Sequence, residues 1–200
     1  MLSRIAESFF WLGRYVERAE ATARLLAEHH QLIVEDRSVV ESVACGALLQ
    51  ALALPTEEAK TATDLVRVVV GSDVEASTII GSVAAARDNA RAIRNLISGD
   101  TYEALNAAHL ALARGFSAHT SPGSSLNGIV ERLLVVNGVI EWTMSRDEPY
   151  QFLRLGRALE RIDMTGRVLA VHHDAFWPTA GPVAALRASG ALSAFLSTSA

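Results

Sequence analysis

Two stretches of the sequence place arginine and glutamate side chains at the same spacing. The first is "LGRYVERAEATARLLAEHH" at residues 12–30, and the second is "LGRALERIDMTGRVLAVHH" at residues 155–173. A shift of 143 positions matches 11 of the 19 residues identically. Guanidinium groups bind carboxylates and phosphates through paired hydrogen bonds, and a glutamate can act as a general base. The repeated pattern therefore indicates ion pairing, anion binding or acid–base chemistry.

Two interpretations of these charged residues stay open. In the first, they form a buried ion-pair network that locks two related helices in register. In the second, they line a polar pocket between the helices, where the arginines bind a carboxylate or phosphate and a glutamate acts as a base. The candidate residues are Arg14, Glu17, Arg18, Glu20, Thr22, Arg157, Glu160, Arg161, Asp163 and Thr165. We expect the hydroxyl groups of the two threonines to form hydrogen bonds with the backbone of their own helices.

Helix geometry limits how these side chains can pair within one copy. Arg14 and Glu17 are i,i+3 neighbours, whereas Glu20 and Arg24 are i,i+4 neighbours in the favourable order, and the second copy repeats both pairs. Glu17 and Arg18 are adjacent, so their side chains point about 100° apart on a helix and cannot be each other's main partner. We therefore predict cross-pairing, in which a glutamate of one copy meets an arginine of the other.

Each copy also carries an apolar stripe at helical spacing, which is typical of core packing. The stripe of the first copy is Leu12, Val16, Ala19, Ala23, Leu26 and His30. The stripe of the second copy is Leu155, Leu159, Ile162, Gly166, Leu169 and His173. On the opposite side, Met164 and Val168 follow the arginines where a solvated face would carry polar residues. This second face is therefore also predicted to be covered.

Other residue types in the chain give little support for catalysis or for a metal site. Within each of the pairs His29–His30 and His172–His173, the two side chains point about 100° apart on a helix. The chain has no Glu-x-x-His pair and no H-E-x-x-H motif to complete a metal site there. Cys45, the only cysteine, lies in an apolar setting that would leave its thiol inert. No metal or cofactor is predicted, the catalytic residues stay unknown, and whether the chain is an enzyme stays open.

Composition excludes several classes of partner and compartment. The formal net charge of the 200 residues is −4, which gives no electrostatic reason to expect nucleic acid or an anionic membrane. Charged residues from Arg4 to Glu17 interrupt the apolar run that a signal peptide needs. No stretch approaches the roughly 20 apolar residues that span a bilayer. We expect a cytoplasmic protein.

The pattern of caps and apolar residues predicts an all-α bundle of seven to eight helices. The first and the penultimate long helix carry the two copies, which suggests an approximate internal two-fold. The first helix should run from Ser3 to about Val34. Capping boxes at "SVVE" (38–41), "SDVE" (72–75) and "DTYE" (100–103) predict helices that extend to about residues 53, 98 and 118.

The remaining segments are assigned from prolines and glycines. A short helix should start at Pro55 and end near Gly71, although "LVRVVVG" (65–71) could instead form a strand. "HTSPGSS" (119–125) is predicted to be a loop, and a helix follows it to about Arg146. The helix with the second copy should begin with Asp147 as its cap and Pro149 in its first turn, and it should end before "WPTAGP" (177–182). Trp142 and Trp177 are expected to pack near that helix, whereas Glu131–Arg132 should be a solvated pair.

Four segments resemble the alpha-E domain family, bacterial helical proteins named for a recurring ER motif. They are "FFWLGRYVERAEATARLL", "SRDEPYQFLRLGRALERIDMTGRVL", "AARDNARAIRNLIS" and "YEALN". The resemblance covers nearly the whole chain and implies one domain over residues 1–200. Family members are usually longer, so we expect this chain to lack their last helices. Apolar surface would then be exposed at the carboxy end, where a homodimer contact could replace those helices.

The resemblance also implies a functional context. Members of the family are typically encoded with, or fused to, a circularly permuted ATP-grasp protein and a transglutaminase-like protein. This association with the two protein types implies an accessory or partner domain in the formation or modification of peptide or amide bonds. Two alternatives stay open: a catalytic or small anionic-ligand-binding domain that uses the Arg/Glu cluster, and a purely structural interaction module.

Overall fold

The computed structural model describes residues 3–72, 74–114, 122–172 and 177–198, which form nine α-helices and no strand. The helices are α1 Ser3–Glu35, α2 Glu41–Ala51, α3 Ala62–Val70, α4 Ile79–Ala92, α5 Gly99–Ala113, α6 Pro122–Thr143, α7 Glu148–His172, α8 Ala180–Ala188 and α9 Leu192–Thr198. The all-α prediction is confirmed, with more helices than the seven to eight expected. No helix within these ranges is long and apolar enough to cross a membrane.

Helix α1 is the central element, and it begins and ends within one residue of the prediction. It packs against α3, α4, α6, α7 and α8. Its predicted apolar stripe is buried, with Leu12, Ala19, Ala23 and Leu26 fully inaccessible to solvent. One long helix thus provides a packing surface for most of the others.

The three predicted capping boxes are wrong, because other residues cap these helices. Helix α2 begins at Glu41 without a side-chain cap, since its N-cap residue is Val40, which has no side-chain acceptor. Ser38 lies before the helix, and its hydroxyl donates to Asp36 at 2.6 Å. Helix α4 begins only after Thr78, whose Oγ1 accepts a hydrogen bond from the Gly81 amide at 3.1 Å. Thr78 precedes the fully buried Ile79, so this cap forms where the chain enters the core.

The cap of α5 is Ser98, whose Oγ accepts from the Thr101 amide at 3.0 Å, and Asp100 lies inside the helix. Helix α4 ends at Ala92 rather than near residue 98, because the intervening residues form turns. Helix α5 ends at Ala113, and the predicted end at residue 118 lies outside the described residues, as does residue 73 of the second box.

The rival strand over residues 65–71 is wrong, since these residues belong to α3. Thr61 caps this helix by accepting from the Asp64 amide at 3.1 Å, and Gly71 ends it with a φ of +67°. That conformation is open to glycine without strain. The helix predicted from Pro55 is divided into a 3-10 turn, Thr56–Glu58, and α3.

The start of α7 is confirmed, whereas the loop before α6 is shorter than predicted. Residues 122–125 of that loop form the first turn of α6, where a proline is well tolerated, and residues 119–121 lie outside the described part of the chain. The Tyr150 amide donates to Asp147 at 3.4 Å, and Pro149 lies in the first turn of α7. Asp147 therefore caps α7 as expected.

The apolar stripe of the second copy is not in the core, contrary to the prediction. Leu155, Leu159, Ile162 and Leu169 are 43–70% exposed, and Gly166 is also exposed. The buried face of α7 consists instead of Leu153, Gly156, Glu160, Met164 and Val168, among others. Helix α7 contacts α1 through the face with the charged residues, so its apolar stripe points away from the bundle. His30 is half-buried, and His173 lies outside the described residues.

Candidate functional site

The candidate site lies where α1 and α7 pack side by side, a contact that we call the seam. Two glycines allow the helices to approach closely. A Cβ atom on Gly13 would overlap the carbonyl oxygen of Leu153, and a Cβ atom on Gly156 would overlap the carbonyl oxygen of Phe10. No larger residue fits at either position without separating the helices.

Glu160 of α7 accepts hydrogen bonds from two arginines of α1. Arg14 Nε donates to Oε2 at 2.6 Å, and Arg18 donates from Nε to Oε1 at 2.6 Å and from Nη2 to Oε2 at 3.0 Å. The Glu160 side chain has no exposure to solvent, whereas both arginine side chains keep about a quarter of theirs. The carboxylate is therefore shielded from water with both oxygens hydrogen-bonded, whereas its arginine partners are partly exposed to solvent.

Glu17 of α1 makes the corresponding contacts in the opposite direction. Arg161 donates from Nε to Oε1 at 2.7 Å and from Nη2 to Oε2 at 3.1 Å, and Arg157 Nε donates to Oε2 at 3.4 Å. Each contact thus has a counterpart 143 residues away. The cross-pairing predicted from the sequence is present, and the alternative i,i+3 pairs within one helix are not among the ion pairs of the described residues.

The next turn of each helix carries a local ion pair, as predicted. Arg24 Nε donates to Glu20 at 2.9 Å, and Arg167 Nε donates to Asp163 at 2.8 Å. Glu20 also accepts from the Asn137 amide of α6, a contact that spacing within the repeat could not indicate.

The two threonines of the repeat differ in their surroundings. Thr165 Oγ1 donates to the Arg161 carbonyl at 2.7 Å, as expected of a threonine that bonds back to its helix. Thr22 is buried, and its hydroxyl has no hydrogen-bond partner within the described ranges. The prediction of a back-bond is therefore wrong for Thr22, and neither hydroxyl contacts the carboxylates of the seam.

The electrostatics of the seam keep its arginines charged. Burial alone would lower the pKa of Arg18, but the hydrogen bonds and the charge of Glu160 outweigh it and raise that pKa above its usual value. The hydrogen bonds to Glu17 likewise raise the pKa of Arg161. Glu160 accepts three N–H groups and has no contact with solvent, so it offers no accessible base. This geometry favours the structural interpretation for the two glutamates.

The charged cluster extends along α6 to residues that the sequence analysis missed. Glu141 accepts from Arg157 Nη1 at 2.8 Å, from the Tyr150 hydroxyl at 2.8 Å and from Arg146 Nη1 at 3.0 Å. The Arg146 guanidinium also lies over the Tyr150 ring, 4.2 Å from its centroid. Nothing in the spacing of the repeat signals Glu141, because it belongs to another helix.

The histidines of the two copies meet at the far end of the seam. The rings of His29 and His172 are 5.6 Å apart between centroids, and the Trp177 ring is 5.1 Å from His29. His29 Nε2 lies 2.9 Å from the Ala44 carbonyl. Burial lowers the pKa of His29 to about 4, and it also lowers the pKa of His172. Both rings are thus buried neutral groups, and the described residues contain no cluster of three or more metal-binding side chains.

The other residues singled out from the sequence lie away from the seam chemistry. Cys45 is buried, and burial together with the charges of Glu41 and Asp64 raises its pKa to about 11, which keeps the thiol protonated. Trp177 is buried as expected, but Trp142 is 91% exposed, so its predicted packing role is wrong. The pair at residues 131 and 132 is exposed, as expected of a solvated face.

Comparison with known proteins identifies the family of this chain. The family model Alpha-E, described as "a predicted alpha-helical domain with a conserved ER motif", matches residues 1–200. In this chain the doubled ER pairs are Glu17–Arg18 and Glu160–Arg161, which form the centre of the seam. No curated protein and no solved structure matches the chain.

Proposed function

Because this chain belongs to the Alpha-E family, an all-helical family with a conserved ER motif, we propose that it is an accessory domain that docks onto a partner protein. The partner class is an ATP-grasp-type ligase or a transglutaminase-like protein, the typical company of the family. In that company the domain would support the formation or modification of peptide or amide bonds. The proposed role is binding, and the chemistry would belong to the partner.

The observation that carries this proposal is the exposed apolar stripe of α7. Four large side chains, Leu155, Leu159, Ile162 and Leu169, repeat at helical spacing on one face and are each at least 43% exposed. Single exposed apolar residues are ordinary, but a continuous apolar row along a helix is typical of a docking surface. The corresponding row of α1 is buried against other helices. An amphipathic helix of the partner would cover the α7 row in the same way.

The seam supports this role by fixing the helix that carries the stripe. Close glycine contacts and two cross-paired glutamates hold α7 on α1 through the face opposite to the stripe. A surface that is already ordered loses less conformational entropy when a partner binds. The conserved ER motif would then serve the partner interaction indirectly, through the rigidity of α7.

The test is binding of the purified chain to a purified candidate partner, measured by calorimetry. Leu159→Glu places a charge in the stripe, and Leu110→Glu on α5 is the matched control, since the two leucines are 43% and 45% exposed. We expect Leu159→Glu to weaken binding by at least about tenfold, because a buried charge lacks a partner there, and the control to change it little. Equal effects of the two substitutions, or no binding to either class of partner, would contradict the proposal.

Light scattering of the same variants tests the rival occupant of the stripe. If the chain is a dimer that Leu159→Glu dissociates, a second copy of the chain covers the stripe instead of a partner protein. A monomer that binds the candidate partner is the result we expect.

A further inference from the structure

A cleft of about 700 Å³ lies beside the seam, between the end of α6 and the first half of α7. Its volume is typical of sites for small molecules, which range from about 300 to 1,000 Å³. The charged groups that line it are Glu141, Arg146, Arg154, Arg157 and Arg161. The cleft is thus rich in guanidinium groups, although the chain as a whole is negatively charged.

Arg154 has no charged or polar partner of its own. Its side chain is exposed at the cleft, and it makes no hydrogen bond or ion pair with any part of the chain that the structure describes. A guanidinium group carries five N–H donors in a planar arrangement that fits a carboxylate or phosphate. Arg154 is therefore available to a ligand without breaking an existing contact.

Two other arginines of the cleft are already oriented by the protein. Arg146 is held over the Tyr150 ring and donates to the carboxylate and the backbone carbonyl of Glu141. Arg157 is held between Glu141 and Glu17, and its side chain is only 16% exposed. Because these contacts already restrict the side chains, a ligand that binds them loses less free energy to ordering.

The balance of charge indicates how many anionic groups the cleft can take. Four guanidinium groups line it, and two carboxylates, those of Glu141 and Glu17, contact them. Four positive and two negative groups give a net charge of +2, and among these four arginines only Arg154 has no carboxylate partner in the described part of the chain. Arg161 is 65% exposed despite its bonds to Glu17, so part of this charge faces the cleft directly.

We propose that this cleft binds a small ligand with two oxyanion groups, phosphoryl or carboxylate, with Arg154 as its main free contact. The site differs from the α7 docking stripe in its chemistry, although Ile162 of the stripe also lines the cleft. Binding of the ligand does not require a partner protein. Glu17 and Glu160 take no chemical part in it, since they serve to hold α7 in place.

The experiment is a titration of the full chain at low ionic strength with three probes: inorganic pyrophosphate, inorganic phosphate and malonate. Binding is followed by calorimetry and by the NMR shifts of backbone amides between residues 146 and 162. Arg154→Gln removes the free guanidinium, and Arg132→Gln is the matched control, an exposed arginine of α6 outside the cleft. Neither substitution removes a hydrogen bond or ion pair within the described residues, so both variants should fold.

We expect pyrophosphate or malonate to bind more tightly than phosphate, with a Kd below about 1 mM. Arg154→Gln should weaken that binding by about tenfold, and Arg132→Gln by less than twofold, since charge-assisted hydrogen bonds are strong and distant surface charges are screened. Preference for pyrophosphate assigns the site to phosphoryl ligands, and preference for malonate assigns it to carboxylates. Failure of all three probes to bind at roughly 10 mM, or equal weakening by both substitutions, would overturn the proposal.

Discussion

Gly13 of α1 and Gly156 of α7 occupy corresponding points of the seam, each against the backbone of the opposite helix. This close approach is what allows arginines on one helix to reach a glutamate on the other with distances of 2.6–3.4 Å. The small residues and the charged residues of the repeat therefore act together, since the ion pairs need the short separation that the glycines permit.

A methyl group at either glycine should destabilise the protein. In Gly13→Ala and Gly156→Ala the new Cβ overlaps a backbone carbonyl, which cannot rotate away as a side chain could. We expect a loss of about 1–3 kcal/mol in the free energy of unfolding, measured with denaturant. Gly166→Ala is the matched control, because its Cβ would meet nothing within 4 Å. The free energy of unfolding of that control should rise by about 0.5–1 kcal/mol, because alanine has a better helix propensity than glycine. A similar response of all three variants would show that the helices are not in contact at Gly13 and Gly156.

The two seam glutamates should contribute unequally to stability. Glu160→Gln leaves Arg14 and Arg18 without a carboxylate while both are mostly buried, so we expect a loss of about 3–5 kcal/mol. Glu17→Gln should cost less, about 1–3 kcal/mol, because Arg161 is largely exposed and can be hydrated instead, and the buried Arg157 keeps its ion pair with Glu141. Denaturant unfolding at neutral pH measures both changes. A larger loss for Glu17→Gln would contradict the burial on which the ranking rests.

His29 should make the stability of the protein depend on pH below neutrality. Burial lowers its pKa from 6.5 to about 4 in the folded chain, so the unfolded chain takes up the proton first as the pH falls. The contribution of His29 is fully present above pH 6.5 and is lost as the pH falls toward about 4. His29→Gln keeps a donor for the Ala44 carbonyl but does not titrate. We expect the free energy of unfolding to fall less steeply between pH 6.5 and 4 in this variant, whereas an unchanged slope would show that the histidine is charged or hydrated in the folded state.

The sequence predicted the seam because its signal is local and repeated. Two copies of one helix carry the same spacing of charged residues. Because the adjacent Glu17 and Arg18 cannot be each other's main partner, this pattern favours ion pairs between the copies. The helical class and the ends of α1 likewise follow from the regular spacing of apolar residues along the chain. The approximate internal two-fold of the whole bundle stays a prediction, since the stripe of α1 is buried and that of α7 is exposed.

Other features depended on tertiary contacts that no local pattern contains. The apolar stripe of α7 has the same spacing as that of α1, and only the arrangement of the neighbouring helices decides which of them is covered. Thr78 and Ser98 displaced the predicted caps because several capping residues lie close together, and burial of the adjacent helix selects among them. Glu141 joined the cluster from another helix, 16 residues before Arg157.

A double-mutant cycle between Arg18 and Glu160 tests the cross-paired seam most directly. The free energy of unfolding is measured for the parent chain, for Arg18→Gln, for Glu160→Gln and for the double variant. A reference cycle combines Arg18→Gln with Glu103→Gln, where Glu103 is an exposed residue of α5. If the two side chains pair as described, the double variant should lose at least about 1 kcal/mol less than the sum of the single losses, while the reference cycle should be additive. Additivity within about 0.5 kcal/mol for Arg18 and Glu160 would contradict the pairing.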